Sequence, residues 1–198
     1  MNVFPSRQMG ETMKILGISG SLRKGSFNTA LLHAAVELAP SGVELIARTI
    51  HGVPLYDADL EAADGIPEKV QELKDLAISA DGLILFTPEY NNSLPGVFKN
   101  AIDWMSRPST DIAQVFGGKP IAVLGASPGN FGTILSQNAW LTVLRTLGAE
   151  AWFGGRLMVS RAGSVFDADG AIIDEKVKHN LAAFIDGFTA FVADRKKG

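Results

Sequence analysis

The sequence predicts an α/β fold in which five parallel strands form one doubly wound sheet with helices on both faces. Three observations support this fold. Short apolar runs alternate along the chain with longer segments whose apolar residues recur at helical spacing. The loops between them are short, and no internal repeat is visible. The length of 198 residues, 46% of them hydrophobic, suits one domain with a single core.

The first half of the chain supplies three predicted strands and two predicted helices. Residues 14–19 are a short, mostly apolar run that breaks into a glycine-containing loop, as a buried parallel strand does. Residues 29–39 carry leucine and alanine at helical spacing and stop before a Pro-Ser-Gly sequence. Further strands are predicted at 43–49 and 82–87, and an amphipathic helix is predicted at 67–80.

The second half continues the alternation. Helices are predicted at 95–107, 133–147 and 174–195, and strands at 120–126 and 151–159. Right-handed crossovers between parallel strands then cover both faces of the sheet. In such a sheet the ligand lies outside the carboxyl ends of the strands. We therefore expect the functional site in the loops after the first, third and fourth strands.

Composition excludes several classes of function. Lys and Arg number 18 against 21 Asp and Glu, and a net charge of −3 argues against a nucleic-acid partner. Because there is no cysteine, redox chemistry requires a bound cofactor. No segment reaches the roughly 18 apolar residues of a membrane span, and residues 1–12 lack the apolar run of a signal peptide. We expect a cytoplasmic protein with no membrane association, a disordered extension at 1–12 and one domain at 13–198.

The loop after the first strand has the chemistry of a phosphate site. Residues 19–28 hold three serine hydroxyls, an asparagine amide and two cations just before a predicted helix. The N–H groups and dipole of a helix N-terminus favour an anion. The glycine spacing fits neither a P-loop nor a dinucleotide fingerprint, so a flavin phosphate or a similar monoester fits better than ATP. The alternative is that Ser26 or Asn28 only caps the helix.

The other two loops contain groups suited to an aromatic ligand. Residues 87–95 follow an apolar strand and place Tyr90 and asparagine amides between two prolines. Amides can meet a heteroaromatic edge and tyrosine can lie against its face, although Tyr90 plugging the sheet edge is an open alternative. Residues 126–132 add a hydroxyl and two glycines that permit close backbone approach.

Four motifs resemble those of the NADPH-dependent FMN reductase family of flavodoxin-like quinone and chromate reductases. They are GSLRKGSFN at 20–28, PLYDAD at 54–59, TPEYN at 87–91 and KNAIDW at 99–104. The resemblance covers nearly the whole chain after Met13. It implies a flavodoxin-like fold, bound FMN, and NADPH (or NADH) as co-substrate. The implied electron acceptor is a small molecule such as a quinone, chromate, an azo compound or a flavin.

The resemblance also implies which residues contact FMN. The phosphate contacts are Ser21, Arg23, Ser26 and Asn28 with Phe27 adjoining, the ring contacts are Pro88, Glu89, Tyr90 and Asn91, and Ser127 touches the far side of the ring. One departure is Thr133, which stands where family members often have glycine. We expect no catalytic side chain, because hydride transfer belongs to the cofactor.

The remaining polar groups suggest no second site. His33, His51 and His179 lack the clustered spacing of metal ligands and are expected in surface or turn roles. The acidic residues in 57–64 are expected to form a solvated loop near the cleft. Two rival functions are a flavodoxin-type electron carrier without its own NAD(P)H turnover and a flavin-binding or nucleotide-binding module. The small net charge argues against the carrier.

Two helices predict a homodimer or homotetramer. Apolar residues encircle most of helix 133–147, so the sheet cannot bury all of them. In helix 95–107, Trp104 lies beside an apolar stripe that we expect to be exposed and to form an interface. A symmetric dimer through these helices would set the ligand cleft at the subunit boundary. The alternative is that neighbouring helices of the same chain cover these residues.

Overall fold

The computed structural model describes residues 12–196, which form a parallel sheet with helices on both faces. Apart from Thr12, the predicted extension at 1–12 lies outside the described residues. The strands are β1 (Met13–Ser19), β2 (Val43–Thr49), β3 (Gly82–Phe86), β4 (Pro120–Ala126), β5 (Glu150–Ala151) and β6 (Met158–Val159). The helices are α1 (Phe27–Glu37), α2 (Ala58–Asp64), α3 (Glu68–Ser79), α4 (Gly96–Met105), α5 (Ile112–Val115), α6 (Ile134–Thr146) and α7 (Glu175–Arg195).

The sheet has the order β2-β1-β3-β4-β5, and β6 pairs with the carboxyl end of β4. All of these pairs are parallel. The strand order reverses between β1 and β3, and flavodoxin-like sheets bind their ligand at such a switch point. The predicted fold class is confirmed. The loops that follow β1, β3 and β4 emerge side by side at one edge.

Each face of the sheet buries its own core. One core contains apolar residues of α1 and α7, and the other contains those of α3, α4 and α6. In the second core Trp104 and Trp140 are fully buried, and the Phe98 ring meets Trp140 edge-on at 4.9 Å. The expectation of an exposed stripe on helix 95–107 is therefore wrong. The flanking helices of the same chain cover α4 and leave it no apolar face for a partner.

Two segments differ from the predicted elements. The predicted strand 151–159 splits into β5 and β6, because the chain leaves the sheet where the Trp152 ring folds over Gly154 and Gly155. The acidic segment 57–64 is a helix, α2, and not a loop. The Asp57 side chain caps it by accepting a hydrogen bond from the Asp59 N–H at 2.9 Å. Since α2 buries none of its residues, it has no core-facing stripe for a sequence pattern to show.

Gly20 marks the closest approach between the first loop and the core. A Cβ atom at this position would lie 1.9 Å from Cδ1 of Phe98, whose ring is packed against Trp140. Gly25, five residues further along the same loop, has no atom within 4 Å of the corresponding position. The start of the loop therefore requires glycine for packing, whereas its end does not.

Replacing Gly20 with alanine should destabilise the apoprotein by about 1–3 kcal/mol, because Phe98 must move out of a packed position. Gly25→Ala is the matched control and should change the free energy of unfolding by less than about 0.5 kcal/mol. Urea denaturation of both apoproteins measures the difference. Wild-type stability in Gly20→Ala would contradict the close packing described above.

Candidate functional site

The loop between β1 and α1 presents open hydrogen-bond donors at a helix N-terminus. Ser26 is the N-cap of α1, and its Oγ accepts a hydrogen bond from the Thr29 N–H at 3.3 Å. Within residues 12–196, the backbone N–H groups of Phe27 and Asn28 have no acceptor in the chain. These two donors and the positive end of the helix dipole together favour an anion.

Two serine hydroxyls beside this terminus keep their protons for a ligand. The Oγ of Ser21 accepts a hydrogen bond from the Arg23 N–H at 3.3 Å, much as the Oγ of Ser26 accepts one from Thr29. A hydroxyl has one proton and two lone pairs, so both serines can still donate to an oxyanion. For Ser26, capping the helix and binding a phosphate are therefore compatible. Arg23 and Lys24 are exposed and add positive charge.

Aromatic rings support the outer side of the same loop. The guanidinium carbon of Arg23 lies 5.9 Å from the centroid of the Phe27 ring, a cation–π distance. The Phe27 ring in turn stacks on Phe166, with centroids 5.8 Å apart. The side chain of Phe27 therefore anchors the loop and holds Arg23 close to the N-terminus of α1.

The Asn28 side chain connects the first loop to the third. Its Nδ2 donates to the Ala126 carbonyl at 2.9 Å, and its Oδ1 accepts from the Ala126 N–H at 2.8 Å. The two residues are 98 positions apart, and both are buried. Because both ends of this amide are bonded to backbone, the side chain positions α1 against the end of β4.

The loop after β3 ends in a tight turn that exposes polar and aromatic groups. Tyr90 and Ser93 exchange backbone hydrogen bonds of 3.0 and 3.1 Å. Between them Asn91 and Asn92 have φ angles of 49° and 61°, which a type I′ turn requires and asparagine tolerates. Tyr90 is 47% exposed, so it does not plug the sheet edge. Its ring and the asparagine side chains are accessible at the carboxyl edge.

The carboxylate of Glu89 fixes this second loop to α6. Its Oε2 accepts hydrogen bonds from the N–H groups of Leu135 at 2.8 Å and Ser136 at 3.0 Å. A carboxylate here satisfies open donors of the helix and complements its dipole. Next to it, the buried Thr87 hydroxyl accepts a hydrogen bond from Trp140 Nε1 at 2.9 Å. The Glu89 side chain is thus committed to holding the loop in place.

The third loop is closed by Ser127. Its Oγ donates to the Gly132 carbonyl at 2.6 Å, and its backbone N–H donates to the Val159 carbonyl at 2.9 Å. The hydroxyl therefore keeps a lone pair for a ligand but not its proton. Thr133, the departure from the family pattern, is fully buried and accepts a hydrogen bond from Gln137 Nε2 at 3.0 Å.

The PLYDAD and KNAIDW motifs contact each other. Because they lie far apart in the sequence, this contact was not predicted. The Pro54 carbonyl accepts hydrogen bonds from Asn100 Nδ2 at 2.8 Å and Trp104 Nε1 at 3.0 Å. Oδ1 of Asn100 accepts one from the Tyr56 N–H at 2.8 Å. The Tyr56 ring meets Trp104 edge-on at 4.9 Å. Side chains of α4 therefore fix the loop that follows β2.

Glu61 of α2 completes this arrangement as an ion pair. Its carboxylate accepts hydrogen bonds from Arg107 Nε at 2.8 Å and from the Tyr56 hydroxyl at 2.9 Å. The hydrogen bond from Arg107 lowers the pKa of Glu61, and the hydrogen bond to Glu61 raises the pKa of Tyr56. At neutral pH both groups keep their usual charge. Glu61 and Tyr56 therefore stabilise the position of α2 and do not serve as a proton acceptor and donor in a reaction.

The structure also limits what other sites residues 12–196 contain. In this range no group of three or more His, Asp or Glu side chains is arranged to hold a metal ion. No helix in the same range is long and apolar enough to cross a membrane. The candidate site lies at the carboxyl edge of the sheet, where the three loops converge.

Known proteins are similar to this chain in both sequence and fold. The family of NADPH-dependent FMN reductases matches residues 13–164. An NAD(P)H-dependent FMN reductase of Pseudomonas aeruginosa is 44% identical over 170 residues, which cover 86% of this chain and 90% of that protein. A 2-hydroxy-1,4-benzoquinone reductase of a Burkholderia species is 40% identical over 184 residues, which cover 93% of this chain and 98% of that protein.

The similarity extends to three-dimensional structure. FerB of Paracoccus denitrificans, a flavoenzyme NAD(P)H:(acceptor) oxidoreductase, superposes with a TM-score of 0.81 at 35% identity. The superposition covers 92% of this chain and 98% of FerB. The family match includes all three loops of the candidate site. The motif resemblance is therefore confirmed, and the chain belongs to the family of NADPH-dependent FMN reductases.

Proposed function

We propose that the chain is an FMN-dependent NAD(P)H oxidoreductase that reduces a small-molecule acceptor, with quinones as the first class to test. The family match supports FMN and NAD(P)H, and the relatives named quinone reductases support a quinone. Bound FMN would accept hydride from the nicotinamide and pass the reducing equivalents to the acceptor. The observation that carries the proposal is the convergence of three loops at one edge of the sheet: the first presents open N–H donors at a helix N-terminus, the second an exposed tyrosine and asparagines, and the third a serine hydroxyl.

The first loop fits the phosphate of FMN. The hydroxyls of Ser21 and Ser26 have protons to donate, and Arg23 adds an exposed cation. The backbone N–H groups of Phe27 and Asn28 complete the donor set. In this proposal the Asn28 side chain acts indirectly, because its amide is bonded to Ala126.

The second and third loops fit the two sides of the isoalloxazine ring. Pro88 and the tight turn make the second loop rigid, and Tyr90 and Asn91 present an exposed ring and amide to the ligand. Glu89 contributes by holding this loop against α6. The Ser127 hydroxyl, which keeps a lone pair, would contact the other side of the ring. The chain therefore binds and orients, and no side chain needs to move a proton.

The range of acceptors is broad in this proposal, because the cofactor and not a side chain performs the reaction. Chromate, azo compounds and free flavins are further acceptors under this proposal, since hydride transfer makes no other demand on the protein. Because NAD(P)H is supplied inside the cell, we place the activity in the cytoplasm.

We further propose that α6 joins two copies of the chain in a homodimer, and that two dimers can form a homotetramer. A groove of about 480 Å³ beside α6 is lined by Leu135, Leu141, Trp152 and Phe153. Leu135 is 44% exposed and Phe153 is 70% exposed, and apolar surface of this extent favours an interface. Because Glu89 caps α6, a partner there lies beside the second loop and can shape access to the site.

Cofactor identification combined with turnover tests the proposed function. The protein should hold FMN and not FAD, because the described loops offer one phosphate site, and chromatography of the released flavin identifies it. With NADPH or NADH it should reduce benzoquinone in steady state. A flavodoxin-type carrier would hold FMN without this turnover, and a binding module would stay oxidised when mixed anaerobically with NADPH. Either result would contradict the enzyme assignment.

Ser26→Asp separates helix capping from phosphate binding. Aspartate caps a helix as well as serine does, so the apoprotein should unfold within about 0.5 kcal/mol of wild type. Its charge beside the phosphate should weaken FMN binding by at least roughly tenfold.

Arg23→Ala tests the cation of the same loop. This variant should weaken FMN binding by roughly 10- to 100-fold, because a charge-assisted hydrogen bond contributes about 1.5–3 kcal/mol. Wild-type affinity of both variants in a fluorescence titration would place the phosphate elsewhere.

Leu141→Glu tests the interface on α6. Leu141 is 36% exposed, and a charge at this position should shift the protein toward monomers at micromolar concentration, because it would be buried in apolar surface. Val36 on α1 has a similar exposure of 38%, so Val36→Glu is the matched control. This variant should leave the molar mass of the oligomer unchanged. Light scattering measures both. A wild-type monomer with full activity would argue against the proposed dimer while leaving the FMN site intact.

A further inference from the structure

The imidazole of His51, in the turn after β2, bridges two elements of the fold. Its Nε2 lies 3.1 Å from the Leu22 carbonyl oxygen, and its Nδ1 lies 3.0 Å from Oγ1 of Thr49. A carbonyl oxygen only accepts, so Nε2 must carry a proton and donate. In the neutral ring Nδ1 then accepts the hydrogen bond of the Thr49 hydroxyl. The two partners together fix both the tautomer and the orientation of the ring.

Leu22 belongs to the loop that presents the phosphate-binding donors. Between residues 22 and 25, the described structure shows one hydrogen bond to a distant part of the chain, and His51 makes it. The other hydrogen bond of this segment is local, from the Arg23 N–H to Ser21. Without His51, this part of the loop would lose its hydrogen-bonded tie to the sheet.

The turn that carries His51 is itself held at both ends. The Val53 N–H donates to the Ile50 carbonyl at 3.3 Å, and Gly52 between them has a φ of 84°, as the third residue of a type II turn requires. Ile50 at the start of the turn is buried, and Pro54, directly after the turn, accepts hydrogen bonds from two side chains of α4. The turn is therefore a rigid connection between α4 and the first loop.

We infer that His51 is a positioning residue that holds the phosphate loop in its ligand-binding conformation. This inference rests on the proposed FMN site. A loop that is ordered before binding loses less conformational entropy when the phosphate enters, so its affinity is higher. His51 does not contact the phosphate in this account and acts through the Leu22 carbonyl.

Titration of the apoprotein with FMN, followed by quenching of flavin fluorescence, tests the inference. His51→Ala should raise the Kd about threefold to tenfold, the effect of one lost hydrogen bond. His51→Gln, whose side-chain amide can donate to the same carbonyl, should recover most of the affinity. His179→Ala, at an exposed histidine on α7, is the control and should bind like wild type. With FMN saturating, kcat should be the same in all four proteins.

The results separate this inference from the proposed function. An unchanged Kd in His51→Ala, or no recovery in His51→Gln, would overturn the role of His51. FMN binding by the wild-type apoprotein would still support the FMN site in that case. Failure of the wild-type apoprotein to bind FMN would overturn both. The melting temperature of each apoprotein should stay within a few degrees of wild type, because His51 is exposed and one such hydrogen bond contributes only about 0.5–1.5 kcal/mol. A large loss of stability in both His51 variants would make the residue structural and would also overturn the inference.

Discussion

Two hydrogen bonds between the Asn28 side chain and the Ala126 backbone determine the geometry of the whole site. They join the first turn of α1 to the end of β4, and both partners are buried. A buried amide left without partners would cost about 1–3 kcal/mol for each unsatisfied group, so this arrangement is strongly preferred. Because the third loop begins at Ala126, its distance from the phosphate loop is set by this contact.

Three polar side chains of the site hold loops in place and leave other groups for the ligand. Glu89 caps α6, Ser127 closes the third loop, and Asn28 binds Ala126. The donors that remain include the protons of two serine hydroxyls, backbone N–H groups, two exposed cations and the exposed side chains of the second loop. This division suits an enzyme whose cofactor performs the chemistry, since the protein has to supply a fixed, complementary edge.

The sequence was sufficient for the features that depend on local pattern. Apolar runs such as 43–49 and 120–126 gave the strands with their observed bounds, and the loops between strand and helix were found by their composition. Features that depend on distant partners were missed. Helical spacing could not show whether Trp104 faces a partner or the loop after β2 of the same chain, and nothing local marked the contact of Pro54 with Asn100. An asparagine at a helix start gave no sign that its partner lies 98 residues away.

If the three loops at the carboxyl edge form one FMN site, a single ligand should protect all of them, and amide hydrogen exchange with and without FMN measures this. FMN should slow exchange in 21–28, 87–92 and 127–132 together, because these segments would contact different parts of one ligand. The outer face of α6 around Leu141 should be unaffected at constant oligomeric state. Protection confined to the groove beside α6, or protection of one loop without the other two, would show that the three loops do not form one FMN site.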